Sequence, residues 1–135
     1  MELVIQRSRL ELELLAVATS WLRFGQPDGL FSKDELQFGI HGGAIETSLM
    51  MHYWPQKVRE DKVQDFVSDA HNIANNHEYL TAYGKVSMGW QSSDLNEMGV
   101  MGDARQASAE KGALSAQHCV SACATLIDEV ARQDI

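Results

Sequence analysis

Gly39-Ile40-His41-Gly42-Gly43-Ala44-Ile45-Glu46-Thr47-Ser48 is the stretch of this sequence best equipped for chemistry. Gly42 and Gly43 let the backbone approach a ligand closely and take conformations that other residues avoid. A helix predicted from about Ala44 turns its free N–H groups and the positive end of its dipole toward His41. Glu46, on the first turn, is near enough in sequence to fold back on the imidazole. A carboxylate there fixes the ring's tautomer and favours its protonated form, which suits proton transfer near neutral pH. The residues alone also admit a plainer arrangement: a Gly-Gly turn, a favourable first-turn acid and a hydrogen-bonded histidine. Without further information they lean that way.

The remaining histidines and thiols carry weaker signals. His71 and His77 flank an Asn-rich segment at a spacing that fits neither a helical pair nor a metal-ligand set. They read as solvated residues of a surface loop. His52 and His118 read as helix-surface or packing residues. Cys119 and Cys123 share one helix face, and a pair alone is no metal signature. Two small buried thiols in a reducing cytosol are the expectation, which makes the protein cytoplasmic.

The elements that must position these groups follow from periodicity. Glu2 to Glu13 predicts an amphipathic helix, and the apolar run Leu14 to Trp21 predicts a buried strand. Gly25, Pro27, Asp28 and Gly29 mark a loop. Ile45, Leu49 and Tyr53 line one face of a helix over Ala44 to Trp54, closed by Pro55. Residues 56–83 predict no regular element, and Lys85 to Gly89 a short strand. From Asp103 to Arg132 the pattern is helical, with Asp103 and Gln106 as a capping box and an apolar face through Ala116, Cys119, Val120, Cys123, Leu126, Ile127 and Val130. The fold class is α/β, with ligands expected beyond strand ends.

The bulk numbers bound the rest. At 135 residues the chain makes one domain, residues 1–135. With 44% hydrophobic and 22% charged residues it folds rather than staying disordered. Its net charge of −8 repels phosphate backbones, so no nucleic-acid partner is expected. No apolar run reaches the roughly 18 residues of a membrane span, and the N-terminus lacks a signal-peptide layout, so no membrane partner is expected either.

His41-Gly42-Gly43-Ala44-Ile45-Glu46-Thr47-Ser48-Leu49-Met50-Met51, continuing through Pro55 and Asp61, resembles the segment of the creatininase family in which His-x-Gly-x-x-Glu-Thr-Ser opens a helix. Two stretches downstream agree in order. Gly89-Trp90-Gln91-Ser92-Ser93-Asp94-Leu95-Asn96 with Gly99-Val100-Met101-Gly102-Asp103-Ala104 looks like a loop of one family branch. Ala107-Ser108-Ala109-Glu110-Lys111-Gly112 resembles the start of the family's last helix.

The resemblance implies the C-terminal half of a creatininase-like α/β/α sandwich, a mostly parallel short sheet flanked by helices. The family's enzymes open cyclic or linear amides with hydroxide bridging two divalent metals such as zinc or manganese. By resemblance, His41 hands a proton to the leaving nitrogen and Glu46 pairs with it. Trp21 resembles the family tryptophan that lies over the substrate, and Gly42 and Gly43 would let the backbone approach it. Trp90 and Asp94 either line the substrate pocket of this branch or serve as a packed indole and a loop-capping carboxylate. The family's metal-ligand segments are missing, so no metal or cofactor is assigned to this chain. Little or no activity is expected of it alone, as for a truncated or split enzyme joined to a separate metal-binding half. The alternative is a non-catalytic, ligand- or partner-binding remnant, and a homo-oligomer is expected in either case. Gln37 and Phe38 stand about where creatininases proper carry Trp-Asp, which argues against creatinine as substrate.

Overall fold

A computed structural model describes residues 2–134. They group into two compact units: Met1–Gln26 with Ala116–Ile135, and Pro27–Ser115. The division falls within the last helix, α6 (Ala109–Arg132).

In the first unit the predicted N-terminal helix is present as α1 (Glu2–Leu12). Glu13, with φ of 54°, ends it, and Leu14 N donates to Ser8 O at 3.4 Å. The run after it does not form the predicted buried strand. Leu14 and Val17 are 56% and 51% exposed, and no ladder partner exists for this segment among the described residues. An apolar run becomes a strand only where a neighbour takes up its N–H and C=O groups. Trp21–Phe24 is a 3₁₀ turn instead. It is tied to α6 by His118 Nε2, 2.9 Å from Phe24 O, and by the buried Cys119 thiol, 3.8 Å from Gly25 O. Burial pushes that thiol's pKa up, as expected of an inert core cysteine. Val120 and Ile127, placed by periodicity on the apolar face of this helix, are exposed.

The second unit holds α2 (Lys33–Phe38), α3 (Ala44–Tyr53), β1 (Asp65–Phe66), α4 (Ala70–Asn76), α5 (Ser92–Leu95), β2 (Gly102–Asp103) and the start of α6. The helix expected over Ala44 to Trp54 is α3, and its C-terminal end meets Pro55. The mostly parallel sheet is not what the described residues form. Their sheet is two-stranded and antiparallel, with Asp65 opposite Asp103 and Phe66 opposite Gly102. Where Lys85 to Gly89 predicts a strand there is a single bridge between Thr81 and Ser87. One core cluster gathers Ala70, Ala82, Leu95 and Met101, with Phe38, Ile40, Ile73, Tyr83 and Trp90 packed around it. A second gathers Phe31, Ala44 and Ile45. Burying a side chain such as Leu95 stabilises the fold by roughly 1.5–3 kcal/mol.

Two of the motifs quoted above meet where α6 begins. Ser48 Oγ, on α3, accepts the Ser108 N–H at 3.1 Å, and Ser108 Oγ in turn accepts the Lys111 N–H at 3.1 Å. This places the N-cap at Ser108 rather than Asp103, which caps a separate 3₁₀ turn, Ala104–Gln106. Gly112 lies against the Ser48 carbonyl so closely that a methyl group there would collide with it.

Candidate active site

The loop carrying His41 is held by backbone bonds on one side and by a buried carboxylate on the other. Ile40 N donates to Met101 O at 3.1 Å, and Met101 N donates to His41 O at 2.9 Å. Beneath the loop, Glu35 leaves the first turn of α2 with only 3% exposure. Its carboxylate accepts Ile45 N–H at the start of α3 at 3.0 Å and Asp103 N–H of β2 at 3.3 Å. Burial raises its pKa above the ordinary glutamate value, although the backbone N–H groups of Ile45, Asp103 and Ala44 act in the opposite direction. Gly39, Gly43 and Gly102 enclose the group, and a Cβ on any of them would strike the carboxylate.

Between these anchors the chain makes an unusual turn. His41 has φ of 145° and Gly42 φ of 77°. A non-glycine residue holds such a conformation only where its surroundings over-determine it. Glu46 does fold back, but onto the loop: its Oε2 accepts the Gly42 N–H at 2.7 Å. Thr47 Oγ1 donates to Gly42 O at 3.1 Å. Both backbone groups of Gly42 are therefore engaged from the first turn of α3, and no Glu46–His41 hydrogen bond is present among the described residues. Gly43, buried, is the N-cap of α3.

The His41 side chain is exposed, and its ring lies 6.3 Å from that of Trp90, tilted by 57°. Trp90 in turn meets Tyr83 edge-on at 6.3 Å. Tyr83 is pushed up to about 12, first by burial and then by the charges of Asp34 and Glu35. Asp94 accepts the Gln91 N–H at 2.8 Å, which caps α5 and fixes the residue next to Trp90. Trp21 belongs to the other unit, where it opens the 3₁₀ turn and is 38% exposed.

Away from this loop, His71 and His77 lie on or beside a helix, α4, rather than in the predicted surface loop. His71 stacks on Phe38 with centroids 4.0 Å apart and pairs with Asp34 at 3.5 Å. His71, Phe38 and Asp34 line a cleft of ≈ 110 Å³ together with Asp65, Ser68 and Asp103. Among the described residues no three His, Cys, Asp or Glu side chains come together as a metal cluster. Among the described residues no carboxylate is bonded to His41, and Glu46 is engaged by the Gly42 amide.

The sequence profile of the creatininase family, described as creatinine amidohydrolase, matches residues 1–127. This chain belongs to the creatininase family. It is similar in fold to a protein of Bacteroides fragilis NCTC 9343 whose crystal structure is named "Putative creatinine amidohydrolase", with a TM-score of 0.70 at 24% identity. The likeness covers 97% of this chain and 49% of the other, so the chain spans about half the length of that relative. No curated protein matches. The motifs quoted above for the resemblance fall on the His41 loop, the cap of α6 and the Trp90 segment.

Glu35 and Tyr83 escaped the reading of the sequence. Ser32-Lys33-Asp34-Glu35 has the spacing of a capping box, which could have revealed α2, since Ser32 Oγ does accept the Glu35 N–H at 3.1 Å. Nothing local announces that Glu35 turns its carboxylate to α3 and β2.

Proposed function

We propose that these residues form the proton-handling and substrate-side portion of an enzyme that hydrolyses a C–N bond in a cyclic or linear amide, corresponding to the C-terminal half of a creatininase-family amidohydrolase. The observation that carries this reading is His41, exposed on a strained loop that two sets of hydrogen bonds hold in place. Such a loop presents an imidazole in a fixed position, as general acid catalysis requires. In this reading His41 protonates the leaving nitrogen as the amide opens. Glu46 and Thr47 act through Gly42, and Trp90, placed by the Asp94 cap, supplies an apolar wall on which a planar amide rests.

The family's two-metal chemistry would supply the attacking oxygen when the metals are bound, and this sequence carries none of the segments that resemble the family's metal-ligand set. We therefore expect those ligands to come from a separate segment or partner, and a homo-oligomer fits the exposed apolar surface of the first unit. The free thiols of Cys119 and Cys123 agree with a cytoplasmic setting. Among the described residues no helix is long and apolar enough to cross a membrane.

Metal analysis joined to an assay on a panel of cyclic and linear amides tests the proposal. The purified 135-residue chain should bind no stoichiometric zinc or manganese and show no turnover. Tightly bound metal with turnover would place the whole site in this chain and sink the division of labour. Wherever activity appears, His41→Ala should lower it by about 10²–10⁴-fold, the usual worth of a general acid. An unchanged rate would remove His41 from the mechanism.

A further inference from the structure

We infer that Glu35 is a positioning residue for His41, a buried carboxylate that keeps the histidine in its positive-φ conformation by holding α3 and β2 to the two ends of the loop. The inference rests on the reading of His41 as proton carrier, but its test observes where His41 sits and not what it catalyses.

Three observations carry it. The carboxylate spans the loop: Ile45, on the α3 side, donates to Oε1 at 3.0 Å, and Asp103, two residues beyond the Met101 that pairs with Ile40 and His41, donates to Oε2 at 3.3 Å. Among the described residues all its hydrogen-bond partners are backbone donors, so only a group that accepts at both oxygens satisfies them. Glutamine would turn an NH₂ toward an N–H. The surrounding space is fitted to it, because Gly39, Gly43 and Gly102 leave the volume that the carboxylate fills.

A carboxylate that is 3% exposed and has no ion-pair partner among the described residues is costly to bury. A neutral side chain would fill a core more cheaply, but it would leave the Ile45 and Asp103 N–H groups without acceptors. The titratable groups facing it are Asp103 on β2 and Tyr83, and both disfavour or feel its charge rather than compensating it. Protonating Glu35 should therefore weaken its hold on both N–H groups and let His41 relax.

Carbon-13 NMR of the unmodified chain tests this without any risk to folding. Three signals separate the events: Glu35 Cδ reports its titration, His41 Cα reports the backbone φ, and His41 Cε1 reports the ring's own proton. The Cδ signal is assigned by its loss in Glu35→Gln. His41 Cα should shift with the midpoint of Glu35 Cδ, at a pH above the ordinary glutamate range. In Glu35→Gln, His41 Cα should be displaced at every pH by more than its line width, while the ring signals of His52 and His118 stay in place. A His41 Cα that follows only its own ring, or does not move, would overturn the inference. An amide assay without turnover would count against the proposed function and leave this result standing.

Discussion

Gly112 shows how tightly the residues around the candidate site are specified. A Cβ there would meet the Ser48 carbonyl and the side chain of His52, both on α3. Alanine is the better helix former by about 1 kcal/mol in an exposed helix. Here the obstacle is backbone, which cannot swing aside, so α6 must move away from the helix that carries Glu46. We expect Gly112→Ala to destabilise the protein by about 1–3 kcal/mol, the usual cost of overpacking. The check is a urea titration in which the midpoint falls while the slope stays the same; an unchanged midpoint would show that the contact is loose. The turn from Gly42 into α3 was legible in the sequence because Glu46 and Thr47 reach back only four and five residues, although Glu46 bonds the Gly42 amide and not the His41 ring expected of it. Glu35 was not, because its two partners are 10 and 68 residues away and nothing in its neighbourhood points to them.

At the scale of elements, the β1–β2 pair sets two carboxylates opposite each other, Asp65 against Asp103. Like charges in that register repel, and Arg105 reconciles them. Its guanidinium lies 2.7 Å from Asp103 Oδ1 and 3.0 Å from Asp65 Oδ2. The hydrogen bond from Arg105 holds the Asp103 carboxyl down to about 2, helped by Gln106. For an acid whose folded pKa is depressed, the stabilisation is complete above the unfolded value of 3.8 and is lost as pH falls through about 2. Glu35 acts in the opposite sense, since its raised pKa favours folding below 4.5 and ceases to do so as pH rises through the folded value. Arg105→Ala should therefore melt below the wild-type temperature at pH 6, with the gap closing as pH drops toward 2. Thermal unfolding followed across that range decides it, and a gap independent of pH would mean that Arg105 acts through packing alone. Helix α3 was readable from its spacing and its proline stop, and most of α6 from its long periodicity. The strand over Leu14 to Trp21 was misread because apolar residues without a neighbouring strand satisfy nothing in the backbone. The start of α6 was placed too early because Asp103 does cap a turn, only a shorter one.

For the whole molecule, the decisive feature is apolar surface that its own residues leave bare. In the first unit Leu10 is 81% exposed, Leu12 62% and Ile127 64%, with Leu14, Val17, Leu22 and Val120 also above half. Isolated exposed apolar residues are ordinary, but so many in a unit of this size are not. Each of these side chains left in water forgoes roughly 1.5–3 kcal/mol of burial. Burying these side chains against a second copy would recover that stabilisation with no new element. We expect the chain to self-associate, with sedimentation equilibrium giving a mass above the 15.0 kDa of one chain at micromolar concentration. Leu10→Lys with Ile127→Lys should return it to one chain's mass without lowering helix content by circular dichroism. A wild-type chain that sediments as a monomer would show that this surface is tolerated bare, and self-association would then drop out of the proposed function while His41 and its loop stand unaltered.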